Sequence, residues 1–271
     1  MGLIDLVTIP AGQAFNADVV IVGAGVAGLV LADALRGSGM SVDVLEAGGA
    51  TLEPESQALY EAEMVGVPHL GTNEGRFRVY GGSSIRWGGQ LLPLRPSDFN
   101  QRPHIPFSGW PINSSDLEPY IRSCEEILGV NHAPYDSDLL EKLPMPRPSL
   151  TEPDLQLRFS KWAPFRFRNL THTLGRRCLA EPRIRIFIHA CVSAIELHVD
   201  GNHVENVKAV TPNGNCYSFG GKQIVISAGS IETSRLLLAS RSIHTKGICN
   251  ITDQLGRWFH DHLSVKAATL M

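Results

Sequence analysis

The sequence has 271 residues, a formal net charge of −3 and a hydrophobic content of 43%, which is ordinary for a globular protein with a substantial core. This charge gives no reason to expect nucleic acid or an anionic membrane surface as a partner, and no apolar run is long enough to cross a bilayer. The first residues lack the pattern of a secretory signal, and the five cysteines include no Cys-x-x-Cys pair. We therefore expect reduced thiols and a cytoplasmic location.

The first informative stretch predicts a strand, a glycine turn and a helix. Residues 19–22 form a continuous apolar run, typical of a strand buried on both faces of a parallel sheet. Gly23, Gly25 and Gly28 follow with the spacing of the dinucleotide-binding fingerprint. We expect Gly23 to permit the turn, Gly25 to let the backbone approach a pyrophosphate, and Gly28 to let the helix lie close to the strand.

A second strand is predicted over residues 41–45 and ends at Glu46, 23 positions after Gly23. This distance is close to the roughly 20 residues expected between the fingerprint and its acid. The carboxylate is predicted to accept hydrogen bonds from both ribose hydroxyls and to repel a 2′-phosphate, which argues against an NADP-type ligand. The alternative is an ordinary turn of small residues, but strand, spacing and acid together favour a dinucleotide site.

A glycine-rich loop is predicted at residues 81–89, which contain four glycines and two serines. Such a segment is suited to contact a ligand through backbone N–H groups and hydroxyls. A flexible surface linker is the alternative, but the bulky side chains of Tyr80, Ile85 and Trp87 are not typical of linkers. We therefore expect a buried loop that faces a ligand.

The middle of the chain predicts one amphipathic helix. Ser115 and Glu118 have the spacing of a capping box, and the helix is expected to begin at Ser114 or Ser115 and to end at Gly129. Its apolar stripe is predicted to pack in the core rather than to contact a cofactor. The stripe consists of Leu117, Tyr120, Ile121, Cys124, Ile127 and Leu128. Residues 131–155, rich in proline and acids, predict a long surface loop.

From residue 184 onward, the pattern changes to short strands that form a β-meander. Turn sequences at 200–202 and 212–214 indicate hairpins between them. The last strand runs into Gly229 and a helix, which is a second strand–glycine–helix joint that could bring backbone to the same crevice. An ordinary strand-to-helix turn explains this joint equally well. The strands are predicted over residues 184–189, 192–198, 204–210, 216–219 and 223–227.

A metal site is not expected. His260, Asp261 and His262 form the only histidine cluster of the sequence, but they lack the spacing that places two ligands on one helix face. We expect a hydrogen-bonded pair of histidines there instead.

Taken in order, these motifs resemble the glucose–methanol–choline (GMC) family of flavoprotein oxidoreductases. The resemblance covers most of the chain and rests on residues 18–48, 81–89, 108–112, 228–240 and 255–262. It implies an α/β fold: a Rossmann-like FAD-binding domain with a parallel sheet, a β-meander and an inserted cap or substrate-side segment, incomplete relative to the family. It also implies FAD rather than NAD. The implied cofactor-binding residues are Gly23, Gly25, Val26, Ala27, Gly28, Glu46, Ala47, Gly82, Ser83, Ser84, Trp87, Gly88, Gly89, Val192, Ala228 and Gly229.

The resemblance further implies oxidation of a CH–OH group of a small alcohol or sugar, with hydride transfer to flavin N5; the electron acceptor stays open. The sequence departs from the family at two points. Arg86 stands where some relatives attach FAD covalently through a histidine, so we expect non-covalent FAD. The catalytic histidine of the family belongs to a C-terminal region that this chain does not match. No catalytic residue is therefore assigned, and we expect the FAD-binding part of a longer enzyme, inactive by itself.

The predicted organisation has five parts. Residues 1–16 are a lead-in, 17–95 a first FAD-binding segment, 96–182 an inserted cap or helical segment, 183–262 a second FAD-binding segment, and 263–271 the start of a truncated substrate-domain element. Two other functions stay open. One is a non-catalytic flavin- or nucleotide-binding remnant with an interaction role. The other is an NAD-binding dehydrogenase, in which the loop at 81–89 has no clear use.

Overall fold

The computed structural model describes residues 2–144 and 156–261. The chain divides into two compact units, of which the first comprises Met1–Ser83 and Leu174–Met271 and the second Ser84–Thr173. Outside the described residues lie part of the predicted loop 131–155, His262, and the predicted substrate-domain element 263–271.

In the described residues, nine strands and seven α-helices succeed each other along the chain. They are β1 (Ile4–Asp5), β2 (Ala14–Val22), α1 (Val26–Ala34), β3 (Val42–Leu45), α2 (Pro54–Ala58), β4 (Gln90–Leu91), α3 (Pro96–Phe99), α4 (Ser114–Ile127), β5 (Lys161–Trp162), α5 (Phe165–Arg168), α6 (Leu174–Ala180), β6 (Ile184–Ile188), β7 (Cys191–Leu197), β8 (Val204–Val210), β9 (Cys216–Ile226) and α7 (Ser230–Ala239). Short 3₁₀ helices span Leu6–Thr8, Leu70–Thr72, Gly82–Ile85, Ser137–Glu141 and Leu170–His172.

Seven strands of the first unit form one sheet in the order β1-β6-β3-β2-β9-β8-β7. From β1 to β9 all neighbours are parallel, whereas β9, β8 and β7 pair antiparallel as a meander. The end of β2 is central, since Val19–Val22 pair with β3 on one side and with β9 on the other. Helix α1 connects β2 to β3, because parallel neighbours need a crossover connection. The predicted α/β fold with a parallel sheet and a meander is confirmed.

Strand β9 differs from the prediction, which divided it at Gly220 and Gly221. The strand runs unbroken through both glycines, with β2 alongside it. A Cβ at Gly220 would lie 2.5 Å from Asn16 Oδ1, and one at Gly221 would lie 3.0 Å from Val20 Cγ2. These glycines therefore allow close packing between neighbouring strands rather than marking a turn.

The core of the first unit contains a cluster of three aromatic rings. The ring centroids of Phe15, Phe187 and Phe219 lie 4.8 to 5.0 Å apart. Leu6 is fully buried in the same cluster, and β1 beside it pairs with β6. The segment predicted as a lead-in thus supplies an edge strand and a core residue.

Helix α4 of the second unit begins one residue after Asn113, and the predicted capping box on Ser115 is wrong. Asn113 Oδ1 accepts a hydrogen bond from the Ser115 N–H at 3.0 Å, and Asp116 Oδ2 accepts one from the Asn113 N–H at 2.8 Å. Asparagine is as good an N-cap as serine, and Asp116 provides the acidic side chain three positions after Asn113. The box is therefore shifted by two residues.

The apolar stripe of α4 is not a core face in the part of the chain that the structure describes, contrary to the prediction. Tyr120 is 65% exposed, and Leu117 and Cys124 are exposed as well. The buried residue of the helix is Glu125. Its carboxylate lies 2.6 Å from His132 Nδ1 and pairs with the Lys161 ammonium. A charged cluster, rather than the stripe, occupies the inner side of the helix.

Candidate cofactor site

A cavity of about 610 Å³ lies in the first unit where strands β2, β3 and β9 end. Ligands of open α/β sheets bind at the carboxyl ends of the strands, and the volume is within the roughly 300–1,000 Å³ usual for ligand pockets. Eleven of the predicted cofactor-binding residues line this cavity. They are Gly23, Gly25, Val26, Ala27, Glu46, Ala47, Gly82, Ser83, Val192, Ala228 and Gly229.

The three glycines after β2 have different surroundings. Gly23 has a φ of +104° and donates its N–H to the Leu45 carbonyl at 2.8 Å. At Gly25 a Cβ would have no atom of the described residues within 4 Å apart from its own residue and its chain neighbours, so this backbone faces open space in the cavity wall. A Cβ at Gly28 would lie 1.9 Å from the Gly23 carbonyl oxygen, so Gly28 packs against the turn instead of lining the cavity.

The second strand–glycine–helix joint lies beside the first. Ser227, at the end of β9, donates its N–H to the Val22 carbonyl at 2.8 Å and its hydroxyl to the Gly23 carbonyl at 3.0 Å. Gly229 follows with a φ of +83° and precedes α7. Two helix N-termini therefore meet at one cavity, and each favours negative charge.

Glu46 is buried in the cavity wall, with 6% of its surface exposed. Its carboxylate accepts hydrogen bonds from the N–H of Gly48 at 2.9 Å and of Ala24 at 3.1 Å. Burial raises the pKa of this carboxyl to about 7, although the two N–H donors and the charge of Arg78 act in the opposite direction. Each oxygen keeps a second lone pair, so Glu46 can still accept hydrogen bonds from a ligand.

A charged cluster on the cavity wall was missed in the sequence analysis. Glu232 accepts hydrogen bonds from Arg76 Nη1 at 3.2 Å, from Arg78 Nη2 at 3.2 Å and from Arg235 Nε at 2.8 Å. The guanidinium carbons of Arg76 and Arg78 lie 4.1 and 4.5 Å from the centre of the Tyr60 ring, which is cation–π geometry. All five residues line the cavity. The available signal was the Arg-Phe-Arg sequence shortly before the glycine-rich loop.

The cavity wall has a surplus of positive charge. Its charged side chains are three arginines and the carboxylates of Glu46 and Glu232. Glu232 is held ionised, because its arginine partners lower its pKa against the effect of burial. The combination of two helix N-termini with this surplus suits a ligand that carries a pyrophosphate.

Four predicted cofactor-binding residues, Ser84, Trp87, Gly88 and Gly89, belong to the second unit. There, Trp87 Nε1 donates a hydrogen bond to the Arg168 carbonyl at 2.8 Å, and the Gly89 carbonyl accepts one from the Ala163 N–H at 2.8 Å. Ser84 Oγ accepts a hydrogen bond from the Leu170 N–H at 3.3 Å. Contact of these four residues with a cofactor stays a prediction, as does the role of Arg86 in the same unit.

Metal-binding and membrane-spanning features are absent from the part of the chain that the structure describes. No helix there combines the length and the apolar character needed to cross a bilayer, and no three His, Cys, Asp or Glu side chains converge as metal ligands. Within the predicted histidine cluster, Asp261 Oδ2 lies 3.5 Å from His69 Nε2. His262 lies outside the described residues.

A comparison with known protein families assigns the chain to a family. A family model described as FAD-dependent oxidoreductase matches residues 18–249, which is most of the chain. The chain belongs to the FAD-dependent oxidoreductase family. The large subunit of fructose dehydrogenase from Gluconobacter japonicus is 23% identical to it over 326 residues, covering 93% of the chain and 59% of that protein.

Solved structures show the fold of this FAD-dependent oxidoreductase chain. Pyridoxine 4-oxidase from Mesorbium loti is 21% identical with a TM-score of 0.51, over 83% of the chain and 52% of that protein. A formate oxidase variant from Aspergillus oryzae RIB40 is 18% identical with a TM-score of 0.51, over 86% and 48%. These relatives are GMC oxidoreductases, so the predicted resemblance is confirmed. The chain spans about half the length of the relatives it matches.

The cavity of this oxidoreductase chain fits the ADP half of FAD. Gly25 offers open backbone for a pyrophosphate, and a side chain there would occupy that space. Glu46 stands at the end of β3, where a ribose is bound in this type of fold. The backbone of Val192 and of Ala228–Gly229 completes the wall. Donors, acceptor and net charge thus match the groups of an ADP moiety.

Proposed function

We propose that the first unit binds the ADP half of FAD in the cavity at the ends of β2, β3 and β9. The observation that carries this proposal is the open backbone of Gly25 beside the buried carboxylate of Glu46 in one cavity. A pyrophosphate would lie on the N-terminus of α1, and Glu46 would accept hydrogen bonds from the ribose hydroxyls. Val192 would contact the adenine through its backbone.

FAD is proposed to be bound without a covalent link, because Arg86 stands at the position where a histidine would be needed. An arginine side chain cannot replace the imidazole in that bond. Its fixed charge would instead favour a phosphate or an anionic flavin.

The whole enzyme of which this chain is the FAD-binding part is proposed to oxidise a CH–OH group of an alcohol or sugar. When bound, the flavin supplies the hydride acceptor at N5. The residues of this chain bind and orient the cofactor through the glycine turn, Glu46 and the arginine cluster. None of the residues that the structure describes is assigned as the base that removes the hydroxyl proton. The name of the fructose dehydrogenase relative supports a sugar as substrate, and the names of the oxidase relatives support small molecules.

A flavin titration tests the cofactor proposal. FAD added to the purified chain should lose fluorescence on binding, ADP should compete for the site, and FMN, which lacks the adenosine half, should bind more weakly. Denaturation should release the flavin into solution. A folded chain that ignores FAD would contradict the proposal, and flavin that stays attached after denaturation would contradict the non-covalent link.

The catalytic part of the proposal has its own test. Alcohols and sugars added anaerobically to the FAD-loaded chain should leave the visible flavin absorption unchanged, because the base that accepts the hydroxyl proton is expected in a region that this chain does not match. Bleaching of the flavin by one of these compounds would show that this chain carries the base after all.

A further inference from the structure

Arg78 connects three segments of the cavity wall that are far apart in sequence. Its side chain is buried, with 5% exposed. Nη2 donates a hydrogen bond at 3.2 Å to Oε2 of Glu232, which lies in the first turn of α7. Nη1 donates one at 3.3 Å to Sγ of Cys191, the residue before Val192. The backbone of Arg78 is equally constrained, because a Cβ at Gly48 would lie 2.1 Å from the Arg78 carbonyl oxygen.

Through Gly48, the same arginine is tied to Glu46. The N–H of Gly48 donates to Glu46 Oε1 at 2.9 Å, and the Cα of Gly48 lies against the Arg78 carbonyl. Next to this contact, the Tyr80 N–H donates to the Gly49 carbonyl at 3.0 Å. The segment that carries Arg78 therefore runs beside the loop that places the carboxylate, and displacement of one would displace the other.

Arg78 acts on Glu46 through its positive charge as well as through its contacts. A guanidinium stays protonated at any pH at which the protein is folded, whereas a buried carboxylate tends to take up a proton. The other charged or titratable groups on this wall are Arg76, Arg235, Tyr60 and Glu232. Glu232 shares its one negative charge among three arginines, so the charge of Arg78 is only partly neutralised. Burial raises the pKa of Glu46, and the Arg78 charge acts in the opposite direction.

We propose that Arg78 is a positioning residue for the adenosine half of the dinucleotide: it favours the ionised form of Glu46 and holds this carboxylate in place, and it fixes the segments at Val192 and Glu232 around the same ligand. This inference rests on the proposed function, because it concerns the cavity assigned to the ADP half of FAD. Arg78 itself acts through Glu46 and the wall.

The pH dependence of FAD affinity in the full chain tests this role, because the FAD pyrophosphate keeps its charge between pH 6 and 9. In the wild type, the Kd should fall as the pH rises through about 7, where Glu46 ionises. R78M should move this midpoint to higher pH and raise the Kd at pH 7 roughly 2–10-fold, because a smaller fraction of Glu46 is ionised there. R78K, which keeps the charge but not the two-pronged contact, should keep the midpoint and raise the Kd by a smaller factor.

R185M is the matched control, because Arg185 forms an ion pair with the buried Asp43 on the same sheet but does not line the cavity. It should lower the thermal unfolding temperature and leave both Kd and midpoint unchanged. If the Kd of R78M for FAD changes with pH around the same midpoint as in the wild type, even with weaker binding, Arg78 has a structural role only and the inference is overturned. If R78M does not fold, a wild-type Kd in R78K overturns it. A wild-type chain that binds no FAD overturns the proposed function itself.

Discussion

Replacing Glu46 by glutamine should change how the stability of the protein depends on pH. The carboxyl is buried, and its pKa is raised from 4.5 to about 7 in the folded state. The folded state therefore holds a proton on Glu46 between these pH values, whereas the unfolded state has lost it. Protonation favours folding in that range, so the Glu46 contribution to the free energy of unfolding falls as the pH rises from 4.5 to 7.

The size of the effect follows from the two pKa values. At 1.36 kcal/mol per pKa unit, the wild type should lose roughly 3 kcal/mol of stability through Glu46 across this range. The E46Q variant lacks this loss, because an amide does not titrate. It has a constant cost of about 1–3 kcal/mol, since its NH₂ group cannot accept a hydrogen bond from the N–H of Ala24 or Gly48.

Urea unfolding followed by circular dichroism, at several pH values from 4.5 to 8, measures the difference between the two proteins. We expect E46Q to be clearly less stable than the wild type near pH 4.5 and to close the gap, or to overtake, by pH 8. Other titrating groups are common to both proteins and cancel in the difference. A difference that stays constant with pH would refute the burial and the raised pKa of Glu46.

Four further substitutions, of which two form a matched pair, test the first unit. G28A should lower the free energy of unfolding by several kcal/mol or prevent folding, because its Cβ would collide with the Gly23 carbonyl, whereas G25A should cost under about 1 kcal/mol; equal losses in urea unfolding would contradict this contrast. The ring nitrogens of His189 contact two carboxylates at 2.8 and 3.0 Å, and these contacts raise the pKa of His189. H189Q should remove a stabilising contribution that is complete below pH 6.5 and fades as the pH rises past this raised pKa. A stability difference between the two proteins that grows toward alkaline pH would contradict this direction. L6A should cost about 2–5 kcal/mol, since Leu6 is fully buried, and a loss below 1 kcal/mol would mean that the N-terminal segment is not part of the core.

The first strand–turn–helix–strand unit could be predicted from the sequence because its determinants are local. An apolar run, three spaced glycines and an acid lie within about 30 residues, and each has one physical reason to stand where it does. The structure places Gly25 and Glu46 on one cavity wall as expected. The meander was predictable for the same reason, since its hairpin turns carry their own residue signals.

The arginine cluster could not be predicted, because its members meet only in the folded chain. Arg78 and Glu232 are 154 positions apart, and no periodicity links them. The predicted division of β9 at Gly220 was wrong. The sequence does not show that Asn16 of the neighbouring strand occupies the space that a side chain at position 220 would need. The apolar stripe of α4 has the spacing that is typical of a core-facing helix. The buried side of this helix is nevertheless the one that carries Glu125, which pairs with Lys161.

FAD binding by the wild type and by G25V, with unfolding curves recorded for both, tests whether the cofactor lies on the glycine turn. We expect the wild type to bind FAD and G25V not to bind it, because the valine side chain would fill the open space beside the Gly25 backbone where the pyrophosphate is placed. G25V should remain folded, since apart from its own residue and its chain neighbours no atom of the described residues lies within 4 Å of its Cβ position. Equal FAD affinity in two folded proteins would contradict the placement of the cofactor on this turn.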